Sequence, residues 1–291
     1  MKVSGFTFIR NAIKYDYPVR EAIRSILPVC DDFYVAVGQS EDDTLDLVRS
    51  IDPAIQVMET VWDDTVKKGG QVLALETDKA LRMIPDESDW CFYIQADEVV
   101  HEQYLDTIRD AMHRWKDDPR VDGLLFNYLH FYGSYDYITP SPNWYRREIR
   151  IIRNNPDFYS YRDAQGFRKI PNQKLRVKPI DAWIFHYGMV RHPKIQHRKH
   201  NHVLKSFYKN ISPDQYQYQY QADEFDYGSV DILERFEGSH PEVIKERISK
   251  INWHFDHDLS INRMSIKNRF RIWMEKHFGY IPWEYRNYKI I

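Results

Sequence analysis

Apolar positions in the first hundred residues keep two alternating rhythms. Residues 4–9, the run Phe33-Tyr-Val-Ala-Val37, residues 55–59 and residues 90–94 read as strands. An unbroken apolar run suits a strand buried on both faces. Between them, apolar residues recur at helical spacing. Ala22, Ile23, Ile26 and Leu27 follow an Asp16/Pro18 start, and Leu45, Val48 and Ile51 follow Asp42 and Asp43. Leu73, Thr77, Ala80, Leu81 and Ile84 follow Gly69-Gly70. The order β-α-β-α-β-α-β predicts an α/β fold with a doubly wound, mostly parallel central sheet flanked by helices.

From residue 120 to about 187 the pattern changes to short strands separated by Pro, Asn and Gly. Residues 123–132 and 145–153 read as a pair, or as part of a mixed edge. After His192 the chain turns helical and basic, and Gln215-Tyr-Gln-Tyr-Gln-Tyr-Gln221 reads as a linker. Ser239 and Pro241 mark a helix start. Residues 261–278 form an amphipathic segment with Arg263, Lys267, Arg269, Arg271 and Lys276 on its wet side. The expected division is one domain over 1–190 and a mainly helical C-terminal extension over 191–291.

Composition narrows the classes. A chain of 291 residues, 43% hydrophobic, can close a continuous core. A formal net charge of −2 gives no reason to expect nucleic acid as a partner. Aromatics reach 15%, with 21 Tyr, which suits either a ring-rich core or a cleft that stacks sugars or bases. Cys30 and Cys91 have neither metal-ligand nor disulfide spacing and are expected to be reduced. The stretch MKVSGFTFIRNAIKYD lacks the apolar region of a signal peptide, and no window approaches a membrane span. A soluble, cytoplasmic protein is expected.

In open parallel sheets, ligands bind beyond the carboxyl ends of the strands. Three polar segments fall at such ends: Phe8-Ile-Arg-Asn11, Gly38-Gln-Ser-Glu-Asp-Asp-Thr44 and Gln95-Ala-Asp-Glu98. Gly69-Gly70, with Lys67 and Lys68 before it and Gln71 after it, opens a helix whose amide end suits phosphate. Together these describe a nucleotide-diphosphate site with a divalent ion.

The same segments resemble family 2 glycosyltransferases of the GT-A fold, a Rossmann-like architecture. In that family the second segment reads like Asp-x-x-Ser-x-Asp-x-Thr and the fourth strand ends in Asp-x-Asp. The resemblance covers roughly the first 110 residues well and the next 80 loosely. It implies transfer of a sugar from a nucleotide-sugar to a glycan or lipid-linked acceptor, with inversion and with Mg²⁺ or Mn²⁺ at the diphosphate; a surface polysaccharide is one such product. Asp97 falls on the last Asp of the metal motif. Phe8, Arg10, Asn11, Gly38, Ser40, Lys67, Gly70, Gln71, Gln95 and Ala96 fall on the nucleotide side. Two positions depart from the pattern: Gln95 replaces the first Asp of the metal motif, and Gly38 stands where the family often has a base-reading Asp. Glu98 is expected to point away from Asp97 and to support it or start a helix.

His186 ends a predicted strand, and the resemblance offers it a place on the metal or diphosphate; a structural histidine is the alternative reading. An inverting transferase needs a general base. Asp163, in a polar turn after a strand, is the first candidate, and Glu148, inside an alternating strand, is the second. The ring cluster Tyr128, His130, Tyr132, Tyr135, Tyr137, Trp144 and Tyr145 reads as core or as an acceptor surface. The basic C-terminal helix reads as packed on the main domain, as an oligomer contact, or as a peripheral contact with the inner face of a membrane. A non-catalytic nucleotide-sugar-binding module is the rival reading. A nucleotidyltransferase ranks last, because no glycine-rich loop follows the first strand.

Overall fold

The structure, a computed structural model, describes residues 1–63, 65–66, 69–207 and 223–291. Strands β1 (Val3–Ile9), β2 (Asp32–Gly38), β3 (Ile55–Thr60) and β4 (Trp90–Tyr93) pair in parallel in the spatial order β3-β2-β1-β4. Helices α1 (Val19–Ile26), α2 (Thr44–Arg49), α3 (Gln71–Leu81) and α4 (Leu105–Trp115) supply the covering layers. Because side chains alternate along a strand, β1, β2 and β4 each feed two cores. Phe33, Val35, Val37, Trp90 and Phe92 pack with Ile23 and Ile26 of α1, Val48 of α2 and Ile108 and Met112 of α4. Tyr34, Ala36, Cys91 and Tyr93, one residue out of phase, pack with Ala80 and Leu81 of α3. Each large apolar side chain buried this way contributes about 1.5–3 kcal/mol. Both cysteines are free thiols.

Beyond β4 the sheet departs from the mostly parallel expectation and becomes mixed. β8 (Arg147–Arg153) runs antiparallel to both β4 and β6 (Gly123–Tyr132), as the pairing of those two segments predicts. β11 (Gln173–Met189) runs parallel to β6, and β9 (Phe158–Tyr161) and β10 (Gly166–Lys169) extend the edge antiparallel. At that edge the reason is connection length. A parallel neighbour needs a crossover of a dozen or more residues, whereas the turns joining β9 to β10 and β10 to β11 are short and permit only hairpins.

The remaining chain is tied back to this sheet. β5 (Glu98–Val100) lies antiparallel to β11, and β7 (Tyr137–Ile138) pairs with β12 (Glu234–Arg235). Helix α5 (Pro193–Phe207) follows β11. A C-terminal helix, Ile266–Phe278, is followed by β13 (Tyr288–Ile290), which pairs parallel with β11. Ser239 does not cap a helix; its hydroxyl bonds His101 Nε2 at 2.9 Å. The Gln/Tyr stretch 215–221 lies outside the described residues. Among the described residues, no helix is long and apolar enough to cross a membrane.

Candidate functional site

The order β3-β2-β1-β4 reverses direction between β1 and β4, and a crevice opens beyond the carboxyl ends of these two strands. A cleft of about 250 Å³ lies there. Its walls include Phe8, Arg10 and Asn11 from the end of β1, Gln95, Ala96 and Asp97 after β4, Gly70 at the start of α3, and Asp163. Segments more than 150 residues apart in sequence, each expected to be functional, therefore meet at one place.

Local chemistry shapes each wall. Asn11 adopts a positive φ of 57°, and its Oδ1 accepts the Glu41 N–H at 2.7 Å. In return Ser40 Oγ accepts the Asn11 N–H at 3.0 Å, and Thr44 Oγ1 accepts the Ala12 N–H at 2.7 Å. The Ser-Glu-Asp-Asp-Thr segment thus zips onto the loop after β1. Gly38 and Ser40 face a neighbouring cleft rather than this one. At Gly38 an added Cβ would lie 2.3 Å from Trp62 Nε1, so the glycine leaves room for the Trp62 indole against the strand end. Trp62 in turn stands 5.9 Å from the Phe8 ring, with the Arg10 guanidinium 5.5 Å from its own ring centre.

Gln95, the departure from an acid, has a structural task. Its Nε2 donates to Ala164 O at 3.0 Å, which ties the loop after β4 to the turn carrying Asp163. Arg162 and Ala164 both have positive φ, so Asp163 sits at the tip of a tight turn. Although that residue as a whole is exposed, the cleft wall desolvates its carboxyl and raises its pKa, against the pull of its own N–H and of Arg162. Glu98 belongs to β5 and starts no helix. It is fully buried and forms a bidentate pair with Arg150 at 2.7 and 2.8 Å, accepts Tyr128 O–H at 2.9 Å and accepts Gln95 N–H at 3.0 Å.

Asp97 is nearly buried and surrounded by positive groups. Its Oδ2 lies 3.3 Å from Lys199 Nζ and 3.4 Å from Arg191 Nη2, and its Oδ1 lies 3.8 Å from His186 Nε2. Burial alone would raise its pKa, but the positive charges of Lys199 and Arg191 hold the carboxyl well below the usual carboxylate range. Burial, reinforced by Arg191, brings Lys199 down to about 8 in spite of Asp97. Register explains how His186 arrives: β11 pairs it with Glu98 on one side and with His130 of β6 on the other.

No protein-family model matches the chain, and no curated protein shows significant sequence similarity to it. Solved structures do align with it. Staphylococcus aureus TarS 1–349 in complex with UDP aligns at 23% identity over 46% of this chain and 37% of its own, with a TM-score of 0.33. Glucosyl-3-phosphoglycerate synthase from Mycobacterium tuberculosis, in complex with Mn²⁺ and UDP-glucose, aligns at 17% identity over 45% of this chain and 44% of its own, TM-score 0.30. A 4-diphosphocytidyl-2C-methyl-D-erythritol synthase from Anaerococcus prevotii aligns at 12% identity over 53% of this chain and 70% of its own, TM-score 0.33. In these alignments the chain spans less than half the length of the first two structures.

Do these side chains suit a divalent ion? Among the described residues no group of three or more His, Cys, Asp and Glu converges, so these residues offer at most two such ligands at one point. Asp97 and His186 are such a pair. His130 Nε2 lies 2.7 Å from Tyr145 O, an acceptor, so this nitrogen carries the proton. Burial, then the neighbouring His186, holds the His130 pKa well below its ordinary value, so the ring is neutral and its Nδ1 accepts. His186 Nδ1, 2.9 Å away, must then donate, which leaves the His186 Nε2 lone pair turned towards Asp97 Oδ1. Two electron-pair donors 3.8 Å apart, with no hydrogen bond between them, fit a cation whose other positions come from phosphate and water. Gly188 keeps this space open, because a Cβ there would lie 2.5 Å from His186 Nε2 and 3.4 Å from Asp97 Oδ2.

Several expected residues lie elsewhere. Glu148 is buried within β8, with Gln165 Nε2 donating to its Oε1 at 2.7 Å and its Oε2 without a partner. It does not line the cleft, and burial raises its pKa to about 8. Gln71 is exposed on α3 and is not part of the wall, and Lys67 lies outside the described residues. Tyr128, His130, Tyr132, Tyr135 and Tyr137 are buried, so this ring cluster is core and not an acceptor surface. Trp144 is half-buried against His130 at 5.0 Å. Tyr15, Tyr17 and Trp62 line the cleft without any prior sequence signal, and Lys199 joins them. The basic run after His192 contains Lys199, but only folding shows which of its members turns inward.

Proposed function

We propose that the protein is a nucleotide-sugar-dependent glycosyltransferase acting with inversion on a glycan or lipid-linked acceptor. The observation that carries this reading is the convergence of Asn11, Gly70, Asp97 and Asp163, from four separate segments, on one cleft at the reversal of strand order. In this reading Phe8 and Trp62 offer faces to the nucleobase. Lys199 and Arg191 bring positive charge to the diphosphate, with Asp97 aligning both. Asp97 and His186 would hold Mg²⁺ or Mn²⁺, which supplies further positive charge where the diphosphate departs. Asp163, raised above its ordinary pKa, takes the proton of the acceptor hydroxyl as that oxygen attacks the anomeric carbon opposite the leaving diphosphate. Inversion follows from that single displacement.

The pairing of Asp97 with two cations favours a second reading, a non-catalytic module that binds a nucleotide-sugar without metal. Calorimetry of UDP and then GDP, with and without Mn²⁺, on the wild type and Asp97→Asn separates the two. The transferase reading expects Mn²⁺ to tighten binding of one nucleotide at least tenfold, and Asp97→Asn to abolish that gain. Tight binding indifferent to Mn²⁺ and to the substitution supports the module. No binding of either nucleotide sinks both.

A further inference from the structure

The C-terminal helix Ile266–Phe278 is mounted with its apolar face outward. None of its residues is buried. The face turned to the protein is held by polar contacts. Glu275 receives Arg146 at 2.9 and 3.0 Å, Asn268 Nδ2 donates to Asn143 Oδ1 at 3.2 Å, and Arg271 Nε donates to Pro282 O at 3.2 Å. At 100° per residue, Ile266, Phe270 and Trp273 form one stripe on the opposite side. Ile266 is 88% exposed, Phe270 45% and Trp273 48%. Phe278, Tyr280 and Trp283 continue the exposed apolar surface just beyond the helix.

Charge says what covers this surface. Lys267 flanks the stripe on one side and Arg269 and Lys276 flank it on the other, all three exposed. Residues 259–291 hold seven Lys and Arg against two Glu, a net of +5 in a chain of formal charge −2, so the other residues carry −7. A helix about 20 Å long, with an exposed stripe containing Phe and Trp between flanking cations, suits an anionic lipid surface. The aromatic rings would enter the headgroup boundary while the lysines snorkel to the lipid phosphates. A neutral apolar partner would need no such rim.

We propose that this helix lies in the plane of an anionic membrane and docks the protein on it peripherally. The inference is independent of the reading of the cleft. The test is co-sedimentation of the full chain with vesicles of phosphatidylcholine alone, or of phosphatidylcholine mixed with phosphatidylglycerol, at low and high salt. The expected result is binding confined to the anionic vesicles and weakened by salt. Lys267→Gln with Lys276→Gln should weaken that binding roughly thirtyfold, and Phe270→Ser with Trp273→Ser should remove it, with the circular dichroism unchanged. Nucleotide binding in the cleft should be the same in both variants. Equal binding to both vesicle types, or to neither, overturns the proposal. So does a concentration-dependent dimer, in gel filtration, that disappears in the Phe270/Trp273 variant while vesicles fail to bind.

Discussion

At the scale of single residues, the space between Asp97 and His186 depends on a missing side chain. Gly188→Ala places a methyl group 2.5 Å from His186 Nε2. We expect it to abolish Mn²⁺-dependent nucleotide binding by calorimetry while leaving metal-free binding within about threefold; unchanged metal dependence would remove the glycine from the account. Glu148 gives a pH signature. Its pKa is about 8 in the fold against an ordinary 4.5, so the native state holds a proton that the unfolded chain releases. Glu148 therefore makes stability fall as pH rises from 4.5 to about 8. Urea unfolding at the two ends of that window should show a loss on the order of a few kcal/mol, largely absent in Glu148→Gln. No sequence pattern announced this, because alternation along β8 shows which way a side chain points but not whether water reaches it.

At the scale of elements, the loop after β1 and the loop after β2 form one unit. Asn11 holds the Glu41 N–H and occupies a left-handed backbone position that Asn tolerates better than Ala. Asn11→Ala should cost about 2 kcal/mol in urea unfolding, and nucleotide affinity should fall with it. A stability change below about 0.5 kcal/mol would show that the loops hold together without this bond. The elements themselves were largely legible. Apolar runs marked β1 to β4 and helical spacing marked α1 to α3, because both faces of β1, β2 and β4 are buried and local rhythm records burial. The direction of the later strands was not legible, since it follows from short turns and from neighbours distant in sequence.

At the scale of the whole molecule, the buried Glu98–Arg150 pair joins β5 to β8 and supports the loop that carries Asp97. Glu98→Gln leaves the Arg150 charge buried without its partner. We expect a loss of about 3–5 kcal/mol by urea unfolding, and a nucleotide site that weakens with the fold. A neutral result would show that water reaches the pair. The outward stripe of the C-terminal helix also belongs to this scale. Its amphipathic pattern was clear in the sequence, but the pattern alone favours packing the apolar side inward, and the contacts of Arg146 and Asn143 turn that side out.

The sequence by itself determined the four parallel strands, their helices and the segments at the strand ends, because periodic burial and turn chemistry are local. It also singled out Asp97, His186 and Asp163. Only the tertiary structure decided that Asp97 meets Lys199, Arg191 and His186, that His130 orients His186, and that Glu148 is sealed in the core. Those contacts arise from pairing β11 against β5 and β6 and from the return of α5 over the cleft. They join residues up to about a hundred positions apart, and a charge or a lone pair acquires its role from what stands within a few ångströms of it.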